Sequence, residues 1–310
     1  MKICLAGEGA MGGSHARSLN EIEGVEIASL AFGIEADAKE FADHWNIPHL
    51  SADLEECLSQ PGIEAVVLAT PNQVHAQQAE TALKMGKHVL VEIPMALTLE
   101  DSEHLVEVAK ESGLVCMVNH SYLYNPNHRK VYQLVHSGEL HLHHVIQQTY
   151  FFRRTNTNMH GKPRTWTDEL LWHQACHMIA FVTWLLDDPA LDVWGRAGPN
   201  HAKLDVPMDI TISMQSKDNV LVSSANSFNN HGPITGFYRF IGEEETYLIE
   251  KPVGLVDHEG NPVATEPFNG ADEEFIESIR EGREPLTSVQ SQLHVMDVLD
   301  RIQKSIDEKR

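Results

Sequence analysis

The feature that most constrains this chain is a glycine turn set between a strand and a helix. Lys2-Ile3-Cys4-Leu5-Ala6 is a short apolar run that stops at Gly7-Glu8-Gly9-Ala10-Met11-Gly12-Gly13, after which Ser14 to Leu19 has helical character. In that setting the spacing of Gly7, Gly9 and Gly12 has a mechanism. Glycines allow the tight turn and let the backbone approach a pyrophosphate, whose charge meets the amides and positive dipole end of the helix. A turn that merely happens to be glycine-rich is the plain alternative. The four β/α units that follow make dinucleotide binding the better reading, with Gly7, Gly9, Ala10, Met11 and Gly12 as contacts.

Those units read as a strand over Val25 to Phe32, a helix over Ala36 to Trp45, and a buried strand over Ala65 to Ala69. A helix over Gln73 to Met85 follows, then strands at His88 to Val91 and Val115 to Val118 around a Leu99 to Ser112 helix opened by Thr98. Alternation of this kind predicts an α/β fold with a doubly wound parallel sheet. At 310 residues the chain suits two domains, expected at 1–120 and 121–310, and its 42% apolar and 22% charged content is that of a soluble globular protein. No run approaches eighteen apolar residues, and Met1-Lys2-Ile3 leads into glycines and not a signal-peptide core, so a cytoplasmic location is expected. The four cysteines, Cys4, Cys57, Cys116 and Cys176, lie far apart with no CxxC spacing, which argues against a zinc ribbon or a disulfide frame. With 23 Lys+Arg against 45 Asp+Glu the net charge is −22, which disfavours nucleic acid and anionic membranes as partners.

Further candidate contacts fall at strand ends, where open α/β sheets bind ligands. After the second strand comes Phe32-Gly33-Ile34-Glu35, with Phe32 where an acid for an NAD ribose is expected and no cation before Lys39. The missing acid removes the usual repulsion of a 2′-phosphate and Gly33 leaves room for one, so the reading leans to NADP as cofactor, with NAD possible through Glu35. The third strand leads into Thr70-Pro71-Asn72 and His75, and the fourth into Glu92-Ile93-Pro94, beside the expected nicotinamide; Asn72 alternatively caps the next helix. Asn119, just past Val115 to Val118, joins the candidate substrate contacts.

In the second half, His173 and His177 stand four residues apart in Trp172-His173-Gln174-Ala175-Cys176-His177 and would share a helix face. Metal binding, structural packing and acid/base work are all open to such a pair. No third ligand has fitting spacing, so no metal is expected, and His suits proton transfer at neutral pH, so catalysis is favoured for at least one. Just upstream, Arg153, Arg154, Lys162 and Arg164 form a basic island in an acidic chain, interleaved with aromatics up to Trp166 and Trp172. Guanidinium forks match carboxylates, so Arg153, Arg154 and Arg164 are candidates for an anionic small-molecule substrate, and Trp166 or Trp172 for a flat ring; a solvated loop is the bland alternative. The β-rich stretches Val206 to Ser213, Asn219 to Ser227, Gly236 to Ile241 and Glu245 to Glu250 read as an antiparallel meander, closed by helices over Gly270 to Glu281 and Ser288 to Lys309.

The glycine turn, Ala69-Thr70-Pro71-Asn72 with His75, the Glu92-Ile93-Pro94 turn and the His-x-x-x-His run together resemble the Gfo/Idh/MocA oxidoreductases, over essentially the whole chain. The resemblance implies a Rossmann domain and a C-terminal α+β domain whose mostly antiparallel open sheet covers the active site and forms homodimer or homotetramer contacts. It also implies an NAD(P)-dependent dehydrogenase acting on CH–OH groups. Most members carry a Lys that helps deprotonate substrate where this chain has Ile93, and an Asp where it has His173. Ile93 and the run Arg164 to His177 are similar to the branch that oxidises 4-carboxy-2-hydroxymuconate-6-semialdehyde, a dicarboxylate of aromatic ring cleavage that cyclises to a hemiacetal, giving 2-pyrone-4,6-dicarboxylate. A sugar or polyol dehydrogenase, or a non-catalytic NADP-sensing regulator, are the alternatives.

Overall fold

A computed structural model describes residues 1–157, 161, 163–164, 167, 169–189, 191–250 and 253–308. In chain order, the first part runs β1 (Lys2–Ala6), α1 (Ala10–Glu21), β2 (Glu26–Ala31), α2 (Glu35–Trp45), β3 (His49–Ser51), α3 (Leu54–Leu58), β4 (Ile63–Leu68), α4 (His75–Lys84), β5 (His88–Val91), α5 (Leu99–Ser112) and β6 (Cys116–Val118). Next come α6 (Pro126–His136), β7 (Leu142–Tyr150), α7 (Cys176–Leu186), β8 (Asp192–Ala197), β9 (Asp209–Gln215), β10 (Leu221–Ser227), β11 (Thr235–Gly242), β12 (Thr246–Glu250) and β13 (Gly254–Val256). Helices α8 (Ala271–Glu281) and α9 (Val289–Asp307) close the chain. Two compact units result, one holding Met1–His120 and Asn269–Leu293, the other Ser121–Thr157, Pro163–Phe268 and His294–Arg310.

The first unit is a six-stranded parallel sheet in the order β3-β2-β1-β4-β5-β6. The order reverses direction between β1 and β4, the place where a doubly wound sheet opens a crevice at its carboxyl edge. Strands β1, β4 and β5 are almost wholly buried because helices cover both faces, which is why they read as unbroken apolar runs. Helix α5 starts and stops where its sequence dictates: the Thr98 hydroxyl accepts from the Asp101 amide, and Gly113 takes the left-handed conformation at the other end. Edge strand β3 and the five-residue α3 are absent from the sequence reading, since three half-exposed residues, His49–Ser51, carry no period to detect.

The second unit is a seven-stranded sheet in the order β13-β12-β11-β7-β10-β9-β8. It is antiparallel except between β7 and β10, and this corrects the simple meander expected from sequence. Strand β7 inserts between β10 and β11, a long-range pairing that local alternation cannot reveal. β9 and β10 alternate buried and exposed residues, as a sheet with one covered face requires. The covered face carries a chain of polar side chains: Ser224 donates to Gln147 Oε1 (2.6 Å), Asn226 to Ser224 (3.0 Å), and Gln147 to Thr149 (2.7 Å). Among the described residues, no helix is long and apolar enough to cross a membrane.

Candidate active site

In the first unit the glycine turn lies at the carboxyl end of β1. Gly7 has φ +108°, and a Cβ there would meet the Ala69 carbonyl oxygen at 2.3 Å; a Cβ on Gly12 would meet the Gly7 carbonyl oxygen at 2.0 Å. Only glycine lets α1 start this close to β1 and β4. A Cβ on Gly9, by contrast, would touch nothing within 4 Å, so the backbone is open on that side. Gly9 caps α1 with no side-chain bond, and the first turn holds no acid. The exposed residues Gly9, Ala10 and Met11 therefore form a cradle of amides at a positive helix end, and such a cradle suits a diphosphate.

Around the ends of β4, β5 and β6 stand the other expected contacts. Asn72 is buried, and its Oδ1 has no partner; it opens a short 3-10 turn and does not cap α4, so the capping alternative falls. His75 is 1% exposed, with Nδ1 2.8 Å from the Pro94 carbonyl and Nε2 2.9 Å from that of Thr70. Burial, outweighing the carbonyls, holds its pKa below the ordinary value, so the neutral ring has one proton to donate between them. His75 thus braces the turns after β4 and β5 by donating to one of these two carbonyls. Thr70 Oγ1 donates to Gln78 (2.5 Å), Pro71 is exposed, and Ile93 and Pro94 are buried. The Asn119 amide donates to Glu92 Oε1 (2.8 Å), while its own Oδ1, buried, lacks a partner. Phe32 is half-buried and Gly33 exposed.

Three residues that sequence reasoning missed organise this unit. His15 is 3% exposed, with Nδ1 2.7 Å from Asp272 Oδ1 and Nε2 3.1 Å from Glu92 Oε1. Burial alone would depress its pKa, but the two carboxylates outweigh it and lift the value to about 10, so the ring is an imidazolium donating to both. Its place in the buried stripe Gly12-His15-Ala16-Leu19 of α1 was a signal, since a buried polar group needs partners. Asp272, on α8, lies 257 positions away and gave none. The third is Glu8, whose carboxylate reaches the Gly33 and Ile34 amides.

In the second unit, His173 sits in a π-helical turn over Leu170–Ala175 that continues into α7, where His177 stands in the first turn. Such turns are rare and frequent at functional sites. Within 170–180 every residue is buried except His173, Gln174 and His177. The His177 ring stacks on Tyr122 (centroids 5.0 Å, 24°), and Tyr122 stacks on buried His128 (4.8 Å, 19°). Burial raises the Tyr122 pKa, and burial with the neighbouring Tyr122 raises that of Tyr238, so both phenols stay protonated. The Tyr238 hydroxyl is buried without a partner.

The basic loop divides. Arg153 is half-buried over the Phe228 ring (5.2 Å), and its pKa falls to about 10 through burial and the charge of Arg164, which burial also lowers. A guanidinium kept half-buried beside a second positive charge is the donor type that a carboxylate answers. Arg154 instead donates to the Arg153 (3.0 Å) and Phe228 (3.2 Å) carbonyls and covers Phe152, so it shapes the loop. Trp172 is 8% exposed and donates to Gln303 on α9 (3.2 Å), so it is a core residue and not the ring platform expected. Trp166, with Lys162, lies outside the described residues. Among the described residues, no group of three His, Cys, Asp or Glu could hold a metal ion.

A doubly wound unit with an open glycine cradle, and a sheet-based unit carrying paired imidazoles, are the parts of a pyridine-nucleotide dehydrogenase. The chain belongs to the Gfo/Idh/MocA oxidoreductases: residues 1–120 match the model of the oxidoreductase family with an NAD-binding Rossmann fold, and 126–266 that of the bacterial oxidoreductase C-terminal domain. It is 38% identical, over 100% of both chains, to the 4-carboxy-2-hydroxymuconate-6-semialdehyde dehydrogenase of Sphingobium sp. strain NBRC 103272 / SYK-6. It is 29% identical to scyllo-inositol 2-dehydrogenase (NAD(+)) of Bacillus subtilis over 45% of this chain and 41% of the other. Its fold is shared with scyllo-inositol dehydrogenase of Lactobacillus casei, a structure with bound NAD(H) and scyllo-inositol (TM-score 0.82, 18% identity, 99% and 97% coverage). It is an NAD(P)-dependent oxidoreductase acting on CH–OH groups.

Proposed function

We propose that the chain oxidises the cyclic hemiacetal of a ring-cleavage semialdehyde dicarboxylate, 4-carboxy-2-hydroxymuconate-6-semialdehyde, to 2-pyrone-4,6-dicarboxylate. The observation that carries this reading is the basic loop of the second unit, where Arg153 sits half-buried over the Phe228 ring and senses the charge of Arg164, in the unit that presents His173 and His177. A neutral sugar does not answer two adjacent guanidiniums, whereas a dicarboxylate does. The full-length relative whose name specifies that semialdehyde adds support.

A bound nicotinamide supplies a hydride acceptor at C4. For this chain, the cradle at Gly9 to Met11 would hold the diphosphate, and the Asn72 and Asn119 oxygens, with Glu92, would orient ribose and carboxamide. His173 or His177 takes the hemiacetal hydroxyl proton as the C–H bond gives up its hydride and the C–O bond becomes a lactone carbonyl. A hemiacetal hydroxyl is more acidic than a secondary alcohol, and this makes Ile93, in place of a lysine, tolerable. The exposed face of the second sheet, with Leu221 48% and Trp194 45% exposed, would join copies of the chain into a homo-oligomer.

The test is coenzyme reduction followed at 340 nm with the semialdehyde, pyranoses and inositols in parallel. Turnover of the semialdehyde above the others supports the reading; turnover of polyols alone defeats it. His173→Ala and His177→Ala should separate the base from its neighbour, with kcat of the base variant lowered ~10²–10⁴-fold.

A further inference from the structure

The second strand of this sheet ends without the acid that normally meets an NAD ribose, yet a carboxylate is there. Glu8, between the first two glycines of the turn, folds across to the end of β2. Its Oε1 accepts from the Ile34 amide (2.7 Å) and the Gly33 amide (3.2 Å), and its Oε2 from the Gly33 amide (3.1 Å). Ile34 is the N-cap of α2 and makes no side-chain cap of its own, so the acid from α1's turn does that work. These amides are the donors that an anion on the adenosine ribose would otherwise use.

Nothing in the next turn offers a positive charge in compensation. Glu35 and Asp37 lie in the first turn of α2, and Lys39 is held by Glu35 at 2.8 Å. Arg17 on α1 is a cation lining the same groove as Glu8, together with Phe41 and Trp45 of α2. A carboxylate offers about four lone-pair sites. Oε2 receives one amide and so retains capacity for a hydroxyl donor.

We infer that Glu8 is the residue that selects the coenzyme: it accepts from the adenosine ribose diol of NAD and excludes the 2′-phosphate of NADP by charge and by occupying the Gly33 and Ile34 amides. This rests on the dinucleotide-binding reading of the same turn and reverses the leaning toward NADP drawn from the missing acid at Phe32. The acid is present in space, supplied from Glu8 of the turn and not from the strand end.

The experiment is a fluorescence titration of the full-length protein with NADH and with NADPH, for the wild type, Glu8→Gln and Glu8→Ala. The side chain is half-exposed, and circular dichroism of each variant checks the fold. Wild type should bind NADH at least about tenfold more tightly than NADPH, and both variants should shrink or invert that ratio by about tenfold, the scale of one unfavourable like-charge contact. Wild type favouring NADPH, or a ratio unchanged within about twofold in both variants while both coenzymes bind, overturns the inference alone. A wild-type protein that binds neither coenzyme overturns the dinucleotide reading as well.

Discussion

His15 shows how one side chain can decide the state of several others. With a carboxylate on each nitrogen it is held as a cation, and Glu92 in turn receives the Asn119 amide and the Ile93 amide. Removing the ring strands two carboxylates in an interior where they cannot be hydrated. His15→Ala should therefore cost about 3–5 kcal/mol of stability, read from urea unfolding. The pH dependence has a definite sign. The pKa rises from an ordinary 6.5 to about 10 on folding, so the stabilisation is complete below about 6.5 and is lost as pH climbs through about 10. The urea midpoint of the wild type should fall between those values, and His15→Ala should flatten that fall. Tyr238 is the opposite case: its buried hydroxyl has no partner, so Tyr238→Phe should leave stability unchanged or raise it by up to about 1 kcal/mol in the same assay.

At the scale of elements, the glycine turn and the π-helical turn do the positioning. Gly12→Ala drives a methyl to 2.0 Å from the Gly7 carbonyl oxygen, so α1 must back away from β1; about 1–3 kcal/mol of stability and most coenzyme affinity should go together, seen by thermal melting and NADH titration. Deleting Gln174 should convert the π-helical turn into plain α-helix and rotate His173 against His177, cutting kcat about 10²-fold while circular dichroism holds. The parallel sheet was legible because its strands are buried on both faces and its helices carry caps such as Thr98 and Gly113. The π-helical turn was not, because an i, i+4 spacing assumes α geometry throughout. Nor was the platform role of Trp172 correctly read: an indole in a basic loop looks available until α9 brings Gln303 to its nitrogen. The roles of Glu8 and His15 depend on partners across the fold, and local pattern is silent on those.

For the whole molecule, a net charge of −22 means that folding gathers like charges. Screening should help: Tm should rise by roughly 2–4 °C from about 0.01 M to about 0.3 M NaCl, the shift that about 1 kcal/mol produces in a chain of this size. A fall over that range would mean that ion pairs such as Arg283–Glu274 outweigh the general repulsion.

The discontinuity of the first unit has a further effect during synthesis. Its sheet is complete at Val118, but α8, and with it Asp272, emerges from the ribosome only after nearly all of the second unit has been made. Until then His15 has Glu92 but lacks its other anion, and Met1–His120 waits as an unfinished body that Asn269–Leu293 must latch.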